Sequence, residues 1–231
     1  RLDETCGPKR LHQILTARGI RGILLPPQHP HPEWKDFPWE YYSVVRFGRS
    51  LKAPGCHVVT ADQVANTMLA FEKMRELGYE RIGLVDSRET TVKRGHIFQA
   101  GFLLAQMEMD ESQRVPILDI NTTQNSGRYK QVAEWVKKHR VDAILTGLVE
   151  LPGFLQKAGI RVPDDIGLAG TSILDIAISA GIDQHSEEIG RVGLLMLNAL
   201  INDGATGVPP IFRQVQVEGS WVDGPSLPPR T

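Results

Sequence analysis

Residues 26–40 concentrate side chains that can bind a metal ion. The histidines His29 and His31 stand close to the carboxylates Glu33 and Asp36, and all four residue types can ligate metals. The prolines between them make the segment stiff and extended, however, and zinc sites usually space their ligands along a helix or include cysteine. We therefore expect no bound metal here.

The same segment carries two tryptophans, Trp34 and Trp39. An indole can stack on a sugar ring or a base, but we favour the alternative that these tryptophans anchor the proline-rich loop by burying large apolar surface. Trp39 stands nearer to the strand predicted at 43–47 and is the better candidate for a ligand contact.

Motifs of the common enzyme classes are missing from the sequence. It contains no GxSxG, no GxGxxG, no P-loop and no HExxH. A nucleophile, a nucleotide cofactor and a catalytic zinc ion each lack their usual framework. Asp86, Asp119 and Asp142 lie at predicted strand ends or turns, where we interpret them as solvated carboxylates. We predict that the protein is not an enzyme and uses no cofactor.

Composition predicts a soluble globular protein. A chain of 231 residues with 41% hydrophobic content can form one large or two medium lobes. With 26 basic and 27 acidic residues, this part lacks the positive surface that binds nucleic acid. Cys6 and Cys56 are too few for a disulfide framework, which indicates a reducing compartment, with a single bridge as the alternative. No apolar run approaches the roughly 18 residues of a membrane helix.

Helices and strands are predicted to alternate along the chain. After an initial helix ending near Ala17, strands are expected at 23–25, 43–47, 57–60, 81–85, 117–120, 143–145, 166–169 and 212–217. Helices are expected at 63–77, around 98–103, at 126–136, at 151–158 and at 187–202, with Ser126 and Ser186 as caps of two of them. This alternation is typical of a doubly wound α/β protein with parallel sheets.

The stretch GIRVPDDIGLAG at 159–170 joins a helix to a buried strand through a tight turn. Gly159 is a typical helix C-cap, and Val162-Pro163 prevents the helix from continuing. The sequence of this stretch resembles that of the effector-binding domain of the LacI/GalR family of bacterial transcription regulators. Further segments resemble family elements in the same order, namely RGIRGILL at 18–25, VRFGRSL at 45–51, the block at 58–84 and the residues at 182–190.

The resemblance implies a two-lobed fold like that of periplasmic binding proteins. Each lobe is expected to be a doubly wound, mostly parallel sheet flanked by helices, with a small ligand held between the lobes. We expect residues 1–61 plus 184–210 in the N-terminal lobe and 62–183 plus 211–231 in the C-terminal lobe. The family also has a first βαβ unit, and a DNA-binding helix-turn-helix before it, neither of which is in this sequence.

The resemblance also implies ligand-binding residues. Arg49 matches an arginine that meets sugar hydroxyls in relatives, the alternative being a solvated loop arginine. Asp62, at the first crossover between the lobes, can accept hydroxyl hydrogen bonds or simply cap the following helix. Gln184, at the second crossover, can donate to and accept from one ligand.

The sequence departs from the family pattern at three ligand positions. Ser172 replaces an aspartate, and Gly147-Leu148-Val149 replaces the family's Asn-Asp pair. Phe98 replaces an arginine, for which Arg94, one helical turn earlier, is either a substitute or an exposed helix-start residue. These changes indicate an atypical, less hydroxylated or partly vestigial site.

Two function classes follow. The preferred one is the ligand-sensing and dimerisation domain of a cytoplasmic transcriptional repressor, which binds a sugar or sugar derivative and contacts operator DNA through the helix-turn-helix. The helix at 187–202, with Ile189, Val192, Met196 and Leu200, forms either a homodimer face or ordinary core. The alternative function is a secreted solute-binding protein of a transport system. A weaker third is an α/β enzyme whose cofactor loop lay in the absent βαβ unit.

Overall fold

The computed structural model describes residues 7–27, 36–51, 53–121 and 127–230. The chain forms two compact units, each assembled from two separate stretches. Unit 1 comprises Arg1–Ala61 and His185–Val217, and unit 2 comprises Asp62–Gln184 and Glu218–Thr231.

Ten strands and seven α-helices are found in the described residues. The strands are β1 (Gly22–Leu25), β2 (Ser43–Phe47), β3 (His57–Ala61), β4 (Ile82–Ser87), β5 (Leu118–Ile120), β6 (Ala143–Thr146), β7 (Gly167–Gly170), β8 (Ala180–Asp183), β9 (Gln214–Val217) and β10 (Ser220–Val222). The helices are α1 (Pro8–Ala17), α2 (Gln63–Glu76), α3 (Arg88–Arg94), α4 (Ile97–Met107), α5 (Arg128–His139), α6 (Leu151–Lys157) and α7 (Ser186–Asn202). Short 3-10 helices lie at Trp39–Tyr41 and Glu111–Gln113.

Unit 1 is built on a four-stranded parallel sheet in the order β1-β2-β3-β9. Neighbouring side chains of β2 point to opposite faces, as the strand pleat requires. Val45 packs with Leu197 and Leu200 of α7, whereas Val44 packs with Leu11 of α1. The sheet is therefore covered on both faces, which explains its mainly apolar strands.

Cys56 lies in the core between the sheet and α1 and has a free thiol. Burial raises the pKa of this thiol to about 11, so it is protonated at neutral pH. Cys6 lies outside the described residues.

Unit 2 is built on a six-stranded sheet in the order β10-β8-β7-β6-β4-β5. All neighbouring strands run parallel except β10, which pairs antiparallel with β8. Leu84 of β4 faces α2 and α4, and the next residue, Val85, faces α5 and α6. Gly101 allows α4 to lie close to α2, because a methyl group there would come within 2.6 Å of the Val64 carbonyl oxygen.

The structure corrects several sequence-based expectations. We expected residues 211–231 in the second unit, but β9 belongs to unit 1 because it pairs with β3. The strand expected at 212–217 is followed by a second one, β10, in unit 2. Ser186 is the first residue of α7, and the capping position is His185.

No helix among the described residues is long and apolar enough to cross a lipid bilayer.

Candidate functional site

The carboxyl edge of the unit 2 sheet contains a reversal in strand order. The chain passes from β4 to β5 on one side of β4, and then returns to place β6 on the other side. In the connection leaving β4, α4 packs with α2 on one face of the sheet. In the connection leaving β6, α6 packs with α5 on the opposite face. Such a switch point opens a crevice outside the carboxyl ends of the strands, where α/β proteins commonly bind ligands.

Asp86 lies at this edge as the next-to-last residue of β4 and is 2% exposed. Its carboxylate accepts hydrogen bonds from the Ser87 backbone N–H at 2.8 Å and from the Thr91 hydroxyl at 3.3 Å. Burial raises the pKa of the Asp86 carboxyl above its ordinary value of 3.8, and these two hydrogen bonds and the charge of Arg94 only partly oppose the rise. The interpretation of Asp86 as a solvated strand-end carboxylate is therefore wrong.

Arg94 is half-buried at the last residue of α3. Its guanidinium lies over the ring of Phe98, 5.3 Å from the centroid, so the phenylalanine supports the arginine one turn earlier. The guanidinium and the Asp86 carboxylate approach the same point above Gly147. A methyl group on Gly147 would lie 3.7 Å from Arg94 Nη1, 3.7 Å from Asp86 Oδ1 and 3.0 Å from Thr171 Oγ1.

Hydrogen bonds across the strands fix the rim of this edge. The Thr146 hydroxyl donates to the Val85 carbonyl at 2.8 Å, and the Thr171 N–H donates to the Thr146 carbonyl at 2.9 Å. Gln184 Nε2 then donates to the Thr171 carbonyl at 2.8 Å. Ser172 follows Thr171 and is 6% exposed. The rim groups are therefore held in place before any ligand arrives.

Asp62 and Gln184, both predicted ligand contacts, have structural partners in unit 2. One oxygen of Asp62 caps α2 by accepting a hydrogen bond from the Ala65 N–H at 3.0 Å. Gln184 exchanges longer contacts with the side chain of Gln63, at 3.3 and 3.4 Å, in addition to its bond to Thr171. Unit 2 thus gathers Asp62, Gln184, Ser172 and Arg94 along one sheet edge.

The other two predicted contacts belong to unit 1. Arg49 is exposed after the carboxyl end of β2, where its Nη2 donates to Gln214 Oε1 at 3.0 Å. Trp39 precedes the amino end of β2 and is 9% exposed, with its ring 4.4 Å from that of Phe37. Core packing accounts for this indole, and its role as a ligand contact stays a prediction.

Most of the histidine-rich segment lies outside the described residues. His29, His31, Glu33 and Trp34 lie outside the described residues, and so does the predicted cap Ser126. Among the residues that are described, no group of three or more His, Cys, Asp or Glu side chains is placed to hold a metal ion.

Sequence comparison alone finds no relative: no protein-family model and no curated protein matches the chain. Solved structures do match. A LacI transcriptional regulator from a Rhodococcus species aligns with 99% of this chain and 85% of its own, at a TM-score of 0.68 and 18% identity. The chain has the fold of LacI-family regulators. The expected α/β fold, like that of periplasmic binding proteins, is thereby confirmed.

Two further LacI-like structures were solved with sugars. The transcriptional regulator CelR in complex with cellobiose aligns with 94% of this chain and 69% of its own, at a TM-score of 0.64 and 19% identity. A LacI family regulator from Enterococcus faecium with bound ribose aligns with 94% of this chain and 84% of its own, at a TM-score of 0.64 and 16% identity. At these identities the likeness concerns the fold.

Proposed function

We propose that this chain is the ligand-sensing and dimerisation domain of a DNA-binding transcription regulator of the LacI family, a cytoplasmic repressor whose effector is a sugar or sugar derivative. The observation that carries the proposal is a fold match over nearly the whole chain, combined with a prearranged polar edge on the sheet of unit 2. In this proposal the chain binds its ligand without chemical change and is not an enzyme.

The chemistry of the polar edge supports a carbohydrate effector. Sugar hydroxyls both donate and accept hydrogen bonds, so they are best bound by a mixture of carboxylates, guanidinium groups, hydroxyls and amides. Asp62, Arg94, Ser172 and Gln184 supply that mixture in unit 2, and Arg49 supplies a further exposed guanidinium in unit 1. Two of the compared structures hold cellobiose and ribose.

The dimerisation part of the proposal rests on α7. Four apolar side chains of α7 pack against the unit 1 sheet, namely Ile189, Val192, Met196 and Leu200. Leu194 and Leu195 project from the same helix and are 51% and 54% exposed. We propose that a second copy of this chain covers these exposed leucines.

Operator DNA is the proposed second partner. The chain itself has a net charge of −1, and it therefore lacks the positive surface that binds phosphate backbones. We therefore assign DNA contact to a helix-turn-helix encoded ahead of Arg1. The gene upstream of this sequence tests that assignment directly, because a cleavable signal peptide in its place would make the protein a secreted solute-binding protein.

Ligand binding is tested by calorimetry with free sugars on the wild type and on Gln184→Ala and Arg49→Ala. Each variant is expected to bind the sugar about tenfold more weakly, while the melting temperature moves by no more than a few degrees. Unchanged affinity in both variants would remove these two residues from the site. A wild type that binds no sugar at all would contradict a carbohydrate effector.

A further inference from the structure

Asp86 and Arg94 carry opposite charges toward one point, yet they do not pair with each other. Both groups would contact a methyl group on Gly147 at 3.7 Å, and no ion pair or hydrogen bond joins them among the described residues. A half-buried guanidinium beside a buried carboxylate usually closes onto it, because an uncompensated buried charge is costly. This pair is held apart instead.

The two side chains are positioned by their own elements. Asp86 is fixed from one side by the Ser87 N–H and the Thr91 hydroxyl, which together use only part of the accepting capacity of a carboxylate. Arg94 is fixed by its stacking over Phe98, and no hydrogen bond from its guanidinium to a described residue is found. Each group therefore keeps hydrogen-bonding capacity directed at the point above Gly147.

Gly147 keeps that point open. Its backbone has an ordinary negative φ, so the position does not require glycine for conformational reasons. What glycine provides is the missing Cβ, which would otherwise sit between Asp86, Arg94 and the Thr171 hydroxyl. The strand ends around that point are hydrogen-bonded to one another through Thr146 and Thr171.

We propose that Asp86 and Arg94 form the recognition pair for two adjacent hydroxyl groups of the effector, with the carboxylate accepting from one hydroxyl and the guanidinium donating to the other. Thr171 Oγ1 is the third polar atom at that point. The proposal deepens the proposed function and rests on it. A phosphorylated or carboxylated end of a ligand is disfavoured there, because the Asp86 carboxylate would repel it.

Burial of Asp86 is consistent with this role. A carboxyl group whose pKa is raised by burial costs folding stability when it is ionised, and a ligand hydroxyl that donates to it recovers part of that cost. The protein therefore carries an acidic group that is better satisfied with a ligand than without one.

The test uses the whole chain and a panel of free monosaccharides and disaccharides that includes D-ribose and cellobiose. Binding is measured by calorimetry and by the rise in melting temperature, for the wild type and for Asp86→Asn and Arg94→Lys. Asp142→Asn and Arg230→Lys are matched controls. Asp142 and Arg230 are likewise an aspartate and an arginine stacked on an aromatic ring, but they lie at the amino ends of β6 and β4.

We expect at least tenfold weaker sugar binding in Asp86→Asn and in Arg94→Lys, and unchanged binding in both controls. Deoxy analogues of the bound sugar that lack either of two adjacent hydroxyls should lose at least tenfold in the wild type and much less in the two variants. If one of the two variants does not fold, the sugar affinity of the other variant decides whether the proposal stands.

Two other outcomes overturn the proposal in distinguishable ways. Equal sugar affinity in the wild type, Asp86→Asn and Arg94→Lys would refute the recognition pair and leave the sugar-sensing function standing. A wild type that no sugar in the panel stabilises would refute the sugar-sensing function and the recognition pair together.

Discussion

The two edges of the unit 2 sheet each carry an aspartate and an arginine stacked on an aromatic ring. At the carboxyl edge, Asp86 and Arg94 accompany Phe98, with the guanidinium 5.3 Å from the ring centroid. At the amino edge, Asp142 and Arg230 accompany Tyr79, at 4.6 Å. The residue types are nearly the same, but the hydrogen bonding differs.

The amino-edge pair is closed. Arg230 Nη1 lies 3.2 Å from Asp142 Oδ2, and the same carboxylate accepts the backbone N–H groups of Glu80 and Arg81 at 2.9 and 3.0 Å. The carboxyl-edge pair shares no direct bond. The amino-edge pair uses its donors and acceptors within the fold, whereas a pair held apart keeps its donors and acceptors for a ligand. Proximity of opposite charges is therefore not sufficient to tell a structural pair from a binding pair.

The largest effect on folding is expected from Asp142→Ala. The change leaves two backbone N–H donors and one guanidinium without their acceptor, which should lower the free energy of unfolding by about 2 kcal/mol. Urea denaturation measures the loss, and calorimetry with a bound sugar should find unchanged affinity. A loss of affinity without a loss of stability would reverse the roles assigned to the two edges.

Gly147→Ala tests the opening between Asp86 and Arg94. The added methyl group would occupy the point that both groups face, so sugar affinity should fall about tenfold, or about 1.4 kcal/mol, with a change in unfolding free energy below about 1 kcal/mol. Gly153→Ala in α6 is the matched control, because a methyl group there meets no atom within 4 Å. It should stabilise the helix by about 0.5–1 kcal/mol and leave affinity unaltered.

Asp86→Asn and Asp142→Asn should have opposite effects on stability at neutral pH. The pKa of Asp86 is raised in the folded protein, so its ionised form costs stability at pH values above the folded pKa. That cost disappears as the pH falls through the folded pKa toward 3.8. Asp86→Asn should therefore be at least as stable as the wild type at pH 7, with a difference that shrinks toward pH 4.

Thermal unfolding of both variants at pH 7 and near pH 4 provides the measurement. Asp142→Asn serves as the control, since it should be less stable than the wild type at neutral pH. If Asp86→Asn were destabilised to the same degree, Asp86 would be a structural residue like Asp142.

The smallest effect is expected from Arg230→Lys. A lysine keeps the charge near Asp142 but loses part of the stacking over Tyr79, and the pair is partly exposed, so the loss should be a few tenths of a kcal/mol. Denaturation curves of high precision resolve such a difference. A loss above about 2 kcal/mol would show that the amino-edge pair is more important to the fold than its exposure indicates.

Much of the fold was predictable because its signals are local. Apolar strand runs such as 82–85 and 143–145, and helix-ending glycines such as Gly159, mark elements by themselves. The strand β8 was missed, because four residues that include Gly181 carry little strand signal. It forms through its neighbours β7 and β10, which a local pattern does not contain.

The site was only partly predictable, because the difference between Asp86 and Asp142 depends on tertiary contacts. Asp86 and Asp142 received the same interpretation from sequence, because both adjoin apolar strand residues. A signal did exist for Asp86, which directly follows the apolar run 82–85 and so stands at the carboxyl end of a predicted parallel strand. Which strand ends meet at the reversal in strand order depends on the strand order itself, and the sequence does not display that order.

Unit 2 is completed by residues far from its start in the chain. After Gln184 the chain builds the second part of unit 1, and only then returns with β10, Leu227 in the core and Arg230 against Leu77. Proteins are synthesised from the amino terminus, so the ribosome must release Glu218–Val222 and the residues beyond before this sheet gains its edge strand. During translation, the sugar-binding edge we propose therefore belongs to a unit that stays unfinished until all of unit 1 has been made.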